Sequence, residues 1–414
     1  MPNALYASRP KPVLLDQVRS ELPPEASTLR ATPPAVSTLF LFHTPSNVGY
    51  AMAAAEPIFL SVGLDLAAGD PSGVHFGYQD LRTGPPRNLE GAGTNFVAFD
   101  FSDRSSSNIR QFTEYIRKHR IKVIWIYDIQ PVHPLFQELR KAGAEAIISY
   151  WGAPISSLMP RWKLMLKRLQ FFLSRSKASG VVFQSQAMAD LALYGRGVPA
   201  RMIDVIHSGV DPSLYRPRQS VYVYDVLGIP RDKKVVVYAG HMEARKGLPT
   251  LIEAAIELLS RRRRSDLCFV ICGDKNDEKK PYEAMYANLG ISESIRFAGY
   301  RSDLADIYPS CYCGVIPSSG WDSFPRSPIE MAASGLPVVA SRLQGLPESV
   351  LDGETGLLFE PGNGTQLADC LEKLLDQPAL AKQYGRNGRL RCETELSRTN
   401  QIKRMSEVCR KWLD

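Results

Sequence analysis

Trp321–Ser341 reads WDSFPRSPIEMAASGLPVVAS. Two carboxylates, Asp322 and Glu330, stand at either end of a Ser/Pro-rich turn that opens a helix. Pro325 and Pro328 lack a backbone N–H and hold a φ suited to a first helical turn, so the helix starts near one of them. Gly335 and Pro337 stop it, and Val338-Val339-Ala340 reads as a short buried strand. The first N–H groups of a helix have no partner within it and carry partial positive charge, which favours a phosphate. Acids flanking those groups suit sugar hydroxyls, so the pair points to a sugar nucleotide. The same residues also fit a capping box, with Ser327 capping the helix and Glu330 reaching back to it. Both readings stay open on this stretch alone.

Working outward, the chain alternates between strands and helices. Lys234–Tyr238 reads as a strand, and Ala239–Gly247 as a loop leading into a helix. Leu267–Cys272, Ser294–Phe297, Tyr312–Ile316, Pro337–Ala340 and Gly356–Phe359 continue the series. The first half has the same plan. Thr38–Phe42 precedes a small-residue loop with Gly49 and an Ala-rich helix; Asn95–Phe99, Ile121–Ile126, Ala146–Ser149, Gly180–Phe183 and Met202–Ile206 follow. This alternation predicts parallel sheets with helices on both faces. At 414 residues the expectation is an α/β protein of two Rossmann-like, doubly wound domains facing across a cleft. The expected boundaries are a Pro-rich extension over 1–34, domains over 35–212 and 213–395, and a helix over 396–414 that crosses back to the first domain. Sites in such sheets lie beyond the carboxyl ends of strands. That rule marks Gly49, Asp128, His133, Tyr150 and Trp151 in the first domain, although a tight turn also explains Gly49 and a solvated loop explains His133.

Composition narrows the function classes. A formal charge of +7 permits an anionic ligand or membrane surface but is not that of a nucleic-acid-binding chain. Seven cysteines, all from Cys268 onward, show neither a disulfide framework nor paired metal spacing, which suggests a reduced cytoplasmic interior. No apolar run approaches about 18 residues, and the Pro-rich start lacks the apolar core of a signal peptide. Arg161–Lys177, RWKLMLKRLQFFLSRSK, is basic and apolar on one side. The favoured reading is a core-facing helix with a solvated basic face. The alternative is contact with an anionic membrane, placing the protein peripherally at its inner face. Arg261–Arg264 reads as solvated surface at a helix end.

Several segments carry a family resemblance by order and spacing: VIHSGVD (205–211), AGHMEARKGL (239–248), FAGY (297–300), DSFPRSPIE (322–330), GLPVVAS (335–341) and GLPESVLDGETGLLF (345–359). Together they resemble the retaining enzymes of glycosyltransferase family 4, the glycosyl transferases group 1, built on the GT-B fold. The resemblance spans about Val205 to Leu358 and is mainly topological before that. It implies transfer from a UDP- or GDP-linked sugar to a glycan, lipid-linked or small-molecule acceptor, with retention and with no cofactor or essential metal; family habit favours polysaccharide assembly. By position, Glu330 would bind the ribose hydroxyls and Lys246 the diphosphate, with Gly247 allowing close approach. Asp322 would take the place of the family's first acid near the donor sugar. The N–H groups of Ser323 and Phe324 would face the sugar or phosphate. Gly240, His241 and Arg245 would line the donor loop, Gly49 would face the diphosphate across the cleft, and Tyr300 or Arg301 would lie near the base.

Three positions depart from the family pattern. His241 replaces an arginine that usually pairs with the lysine, and adjacent Arg245 is a candidate substitute. Asp322 is one methylene shorter than the usual glutamate. Trp151 stands where many members have a histidine, with Tyr150 or His133 as replacements, and one hypothesis is a donor sugar lacking or modifying its outer hydroxyl. Because these departures coincide, a non-catalytic sugar-nucleotide-binding protein is the main alternative, and a phosphorylase or epimerase is a third reading.

Overall fold

The computed structural model describes residues 35–48, 50–152, 160–274 and 277–413. The expected extension over 1–34 and Gly49 lie outside them. The chain divides into two compact units, one running to Ile206 and resuming at Thr399, the other spanning His207–Arg398.

In the first unit, β1 (Thr38–Leu41), β2 (Val74–Tyr78), β3 (Asn95–Ala98), β4 (Val123–Tyr127), β5 (Ala146–Trp151), β6 (Gly180–Phe183) and β7 (Ile203–Val205) form a parallel sheet in the order 3-2-1-4-5-6-7. In the second, β8 (Lys234–Ala239), β9 (Leu267–Cys272), β10 (Ile295–Gly299), β11 (Cys313–Ile316), β12 (Val338–Ser341) and β13 (Gly356–Phe359) form another, in the order 10-9-8-11-12-13. These are the two Rossmann-like parallel sheets of an α/β protein. A parallel sheet must bury both faces, and the strand residues sort accordingly. Phe40, Phe42, Trp125 and Tyr127 enter one core layer, while Leu39, Leu41, Ile124 and Ile126 enter the opposite one. In the second sheet, Val236 and Tyr238 oppose Val235, Val237 and Ala239. Strand order reverses between β1 and β4, and between β8 and β11. Loops leaving such a pair diverge and open a crevice.

The longer helices are α1 (Tyr50–Leu66), α2 (Ser106–Lys118), α3 (Leu135–Lys141), α4 (Arg161–Leu173), α5 (Leu248–Ile256), α6 (Arg326–Ala333), α7 (Gly364–Asp376), α8 (Pro378–Thr394) and α9 (Arg398–Lys411). Helix α9 packs within the first unit. Its Ile402, Met405, Val408 and Cys409 join the layer holding Trp125, whose indole N–H donates to Cys409 Sγ at 3.0 Å. Arg410 and Lys411 add ion pairs to Asp65 and Asp204.

Four local features differ from the sequence expectations. Strand β2, VHFGY, has no counterpart in the predicted series, because histidine and glycine interrupt its apolar pattern. Packing accounts for both: His75 Nδ1 lies 2.8 Å from the Tyr115 hydroxyl, and a Cβ on Gly77 would meet Leu41 at 2.6 Å. The capping box is absent. Pro325, not Ser327, caps α6, and Glu330 pairs with Arg326 at 3.3 Å. Helix α4 does not face a core with its apolar side: Trp162, Met165, Leu166, Leu169, Phe172 and Leu173 are exposed, and Phe171 is buried. Arg262 and Arg264 are not merely solvated. They bind Glu257, Asp369, Glu372, Asp266 and Asp376, tying the end of α5's extension to α7.

Candidate active site

The loops leaving β8 and β11, the strands flanking the second reversal, are locked together. Gly247 has φ +74°, and a Cβ there would lie 1.7 Å from the Pro317 carbonyl oxygen. Only glycine permits that approach. The contact places residues 240–247 against 317–322. Backbone N–H groups of Ser319 and Gly320 donate to the Arg245 carbonyl at 2.8 and 3.0 Å. A second close approach, between Gly273 and the Gly240 carbonyl, brings the end of β9 against the same loop; a Cβ on Gly273 would lie 1.8 Å from that oxygen.

This frame sets an ion pair. Lys246 Nζ lies 2.7 Å from Asp322 Oδ2, with side chains 16% and 7% exposed. The Ser318 hydroxyl donates to the same oxygen at 2.8 Å, and Ser341 holds the Ser318 carbonyl at 2.6 Å. Partial burial strengthens the Coulomb attraction, and the added hydroxyl offsets lost hydration. Asp322 is also fixed through its backbone: its N–H donates to Gln344 Oε1 at 3.1 Å, and its carbonyl accepts from Gly345 N–H at 3.3 Å. Gln344 adopts φ +45°, a left-handed conformation that non-glycine residues rarely hold without support.

The other donor-side residues separate into distinct environments. Arg245 does not duplicate Lys246. Its guanidinium lies 4.2 Å from the Trp321 ring centroid, donates to the Trp321 carbonyl at 3.1 Å and pairs with Glu243 at 2.6 Å. The two cations therefore grip successive residues, Trp321 and Asp322. His241 is exposed, with its carbonyl accepting from the Tyr238 hydroxyl at 2.6 Å. A Cβ on Gly240 would meet the Tyr238 hydroxyl at 2.8 Å. Ser323 and Phe324 are buried in the turn before α6, and Phe324 stacks on His207 at 4.5 Å. His207 in turn lies 3.0 Å from Glu348. Glu330, one turn into α6, is 2% exposed; burial pushes its carboxyl upward, opposed by the Arg326 charge and hydrogen bond. Tyr300 is exposed beyond β10, while Arg301 donates to Asp303 at 2.8 Å. A concavity of about 620 Å³ between α5 and the start of α7, lined by Glu253, Arg261 and Asn363 among others, contains none of these residues.

In the first unit, Asp128 follows β4 with φ +53° and is held at both ends: its N–H donates to the Tyr150 carbonyl and its Oδ1 accepts from Gly152 N–H, each at 2.8 Å. Burial pushes its carboxyl upward, against the Gly152 bond and the nearby His43. His43 Nδ1 reaches the Tyr127 carbonyl at 3.0 Å across the β1–β4 reversal. Tyr150 Oη accepts from Gln184 at 2.8 Å. Trp151 is committed to a core with Phe171 and Phe183, and its indole N–H donates to Ser149 at 2.8 Å. His133 is neither solvated nor joined to Asp128. Its Nδ1 accepts from Leu135 N–H at 3.3 Å at the start of α3, its ring packs on Phe101, and burial lowers it to about 4. The sequence reading omitted Ser318, Gln344, His43 and Gln184; Ser318 and Gln344 stand beside quoted motifs, but local pattern does not reveal partners across the fold.

Residues 224–391 match the family described as Glycosyl transferases group 1. Curated relatives include D-inositol 3-phosphate glycosyltransferases. That of Corynebacterium aurimucosum is 36% identical over 204 residues, covering 47% of this chain and 48% of the relative. That of Acidothermus cellulolyticus is 34% identical over 192 residues, covering 44% and 42%. The chain thus spans about half the length of the curated relatives it matches. Over nearly the whole fold, it is similar to a glycosyltransferase structure from Rickettsia africae, with TM-score 0.78, 18% identity and coverage of 92% of this chain and 99% of that one. It is also similar to Anabaena Alr3699/HepE in complex with UDP, with TM-score 0.74, 18% identity and coverage of 91% and 100%.

Proposed function

We propose, from the premise that residues 224–391 form a glycosyl transferases group 1 domain within a GT-B fold, that this chain is a retaining glycosyltransferase. Its donor is a nucleoside-diphosphate sugar and its acceptor a glycan, lipid-linked or small-molecule hydroxyl, in glycoconjugate or polysaccharide assembly. The observation that carries the reading is the Lys246–Asp322 pair, reinforced by Ser318 and held beside a glycine-dependent backbone contact.

The proposed division of labour follows from charge. Departure of a nucleoside diphosphate builds negative charge on phosphate oxygen, and a preorganised ammonium lowers that barrier without reorganising water. Lys246 carries three donors, so its bond to Asp322 aims the group while leaving capacity for phosphate. Asp322 accepts hydrogen bonds from the hydroxyls of the donor sugar, beside the backbone of Ser323 and Phe324. Glu330 binds the ribose. Its upward-pushed carboxyl fits a group held in a poorly hydrated place for a ligand. Gly240, His241, Arg245 and Gly247 line the donor loop, with Tyr300 or Arg301 toward the base. Asp128 and Tyr150 form the acceptor-side candidate. The reading assigns no metal cofactor; unchanged turnover in chelator is its expected result. It carries a cytoplasmic assignment, tested by cell fractionation.

A turnover assay against UDP- and GDP-linked sugars, scored by nucleoside diphosphate release, tests the proposal. UDP-glucose comes first because HepE has also been crystallised with it. Phosphorylated polyols join the acceptor panel because the curated relatives are D-inositol 3-phosphate enzymes. The expected result is release with one donor, strongly reduced in Lys246→Ala and Glu330→Gln, with the anomeric configuration of the product retained. Nucleotide binding without turnover on any donor–acceptor pair would instead support the non-catalytic reading.

A further inference from the structure

Helix α4 is oriented opposite to an ordinary surface helix. At about 100° per residue, Trp162, Met165, Leu166, Leu169, Phe172 and Leu173 fall within an arc of about 120°. All six are between 54% and 79% exposed. Phe171, on the other side of the helix, is the side chain that it buries. The cations bracket the apolar arc: Lys163 and Lys167 lie on one flank, Arg161 and Arg168 on the other. From Ala146 to Ala189 there is no Asp or Glu, while Arg161, Lys163, Lys167, Arg168, Arg175 and Lys177 supply positive charge. Tyr194, 69% exposed on the neighbouring turn, adds an aromatic ring. Arg168 Nε is tied to the Gly195 carbonyl at 3.0 Å, fixing the helix to that turn.

We propose that α4 is an in-plane docking helix for an anionic lipid surface. Its outward apolar arc would enter the headgroup–acyl boundary, with Trp162 at the interface and the flanking cations on lipid phosphates. The charge pattern selects this occupant. A second copy would bring identical cations together, whereas an anionic bilayer neutralises them. Among the described residues no helix is long and apolar enough to cross a membrane, so the contact is peripheral. The proposal does not depend on the transferase reading.

The test is co-sedimentation of the full chain with vesicles of phosphatidylcholine alone or mixed equally with phosphatidylglycerol. Binding to mixed vesicles should exceed binding to phosphatidylcholine by on the order of tenfold or more and weaken with salt. Trp162 emission should shift to the blue, and Trp162→Phe should remove that shift. Leu166→Glu/Leu169→Glu/Phe172→Glu should abolish binding. Arg161→Ala/Lys163→Ala/Lys167→Ala, which leaves the apolar arc intact, should lose the anionic preference. Melting curves check that both variants fold. Absence of binding to mixed vesicles, equal binding to both compositions, or binding unchanged in the Leu/Phe variant overturns the proposal. So does a dimer that the Leu/Phe variant splits without any vesicle binding, which assigns the face to a second copy.

Discussion

At the reversal of the second sheet, the loops after β8 and β11 are joined by a glycine seated on a carbonyl and by a cation–carboxylate pair. At the reversal of the first sheet, the segment after β1 meets the end of β4 through His43 and the Tyr127 carbonyl, beside a cluster of Phe42, Tyr127 and Tyr150. Topology is shared, but the wiring differs. The second site is charged and its backbone geometry requires glycine. The first is aromatic, with one strained, half-buried acid, Asp128. A phosphate demands fixed charge and close amides, whereas hydroxyl acceptors are held by fewer polar groups on a shaped apolar floor.

The sharpest way to separate the two sites is to remove Lys246. If it neutralises the leaving group, Lys246→Ala should reduce kcat on the order of 10²–10³-fold, measured with saturating donor. A rise in donor KM with kcat unchanged would instead assign Lys246 to ground-state binding alone. Substitutions at Asp128 should leave donor affinity near the parent value.

Next in size is the backbone contact. Gly247→Ala places a methyl against an oxygen that belongs to backbone, in a conformation unfavourable by about 1–2 kcal/mol for L residues even without a clash. Unfolding of the second unit should therefore lose more than about 2 kcal/mol, read from denaturant midpoints. A loss below about 0.5 kcal/mol would show that the two loops separate readily.

These particulars also show why some features were legible in the chain and others were not. Glycine and proline report backbone needs locally, so the turn before α6 and the loop before α5 could be read directly. The Lys246–Asp322 pair joins residues 76 positions apart; resemblance named both residues, but no pattern supplied their bond. Strand β2 was hidden because tertiary contacts, not alternation, bury His75 and Gly77. Periodicity identified the two faces of α4 but could not say which faced the protein. Glu330 fits the spacing of a capping box, yet Pro325 starts the helix too early for Ser327 to cap it.

Glu330 gives the third comparison. If it binds ribose, Glu330→Gln should reduce kcat/KM by about 10–100-fold, the range for losing a hydrogen bond to a charged group. Its stability effect should have the opposite sign from that of a structural ion pair. Burial outweighs Arg326 in setting the carboxyl, so the neutral amide should raise the melting temperature at neutral pH. A lower melting temperature with unchanged kcat/KM would make Glu330 a structural partner of Arg326.

The smallest expected effect is at Asp128, where pH supplies the discrimination. Its native carboxyl is pushed above the ordinary aspartate range, mainly by burial. The native state therefore retains this proton when the unfolded chain has released it. Stability from this group falls as pH rises from about 3.9 through its raised native value, and the loss is complete above it. Asp128→Asn should remove that decline, so its melting temperature should gain on the parent across this window and keep the gain at pH about 7. The amide oxygen can still accept from Gly152 N–H, preserving the strained turn. If Asp128 also orients an acceptor hydroxyl, acceptor KM should rise about tenfold, equivalent to about 1.4 kcal/mol, with donor KM unchanged. An unaltered acceptor KM together with the predicted pH response would leave Asp128 as a backbone clamp and separate the two reversals in function as well as wiring.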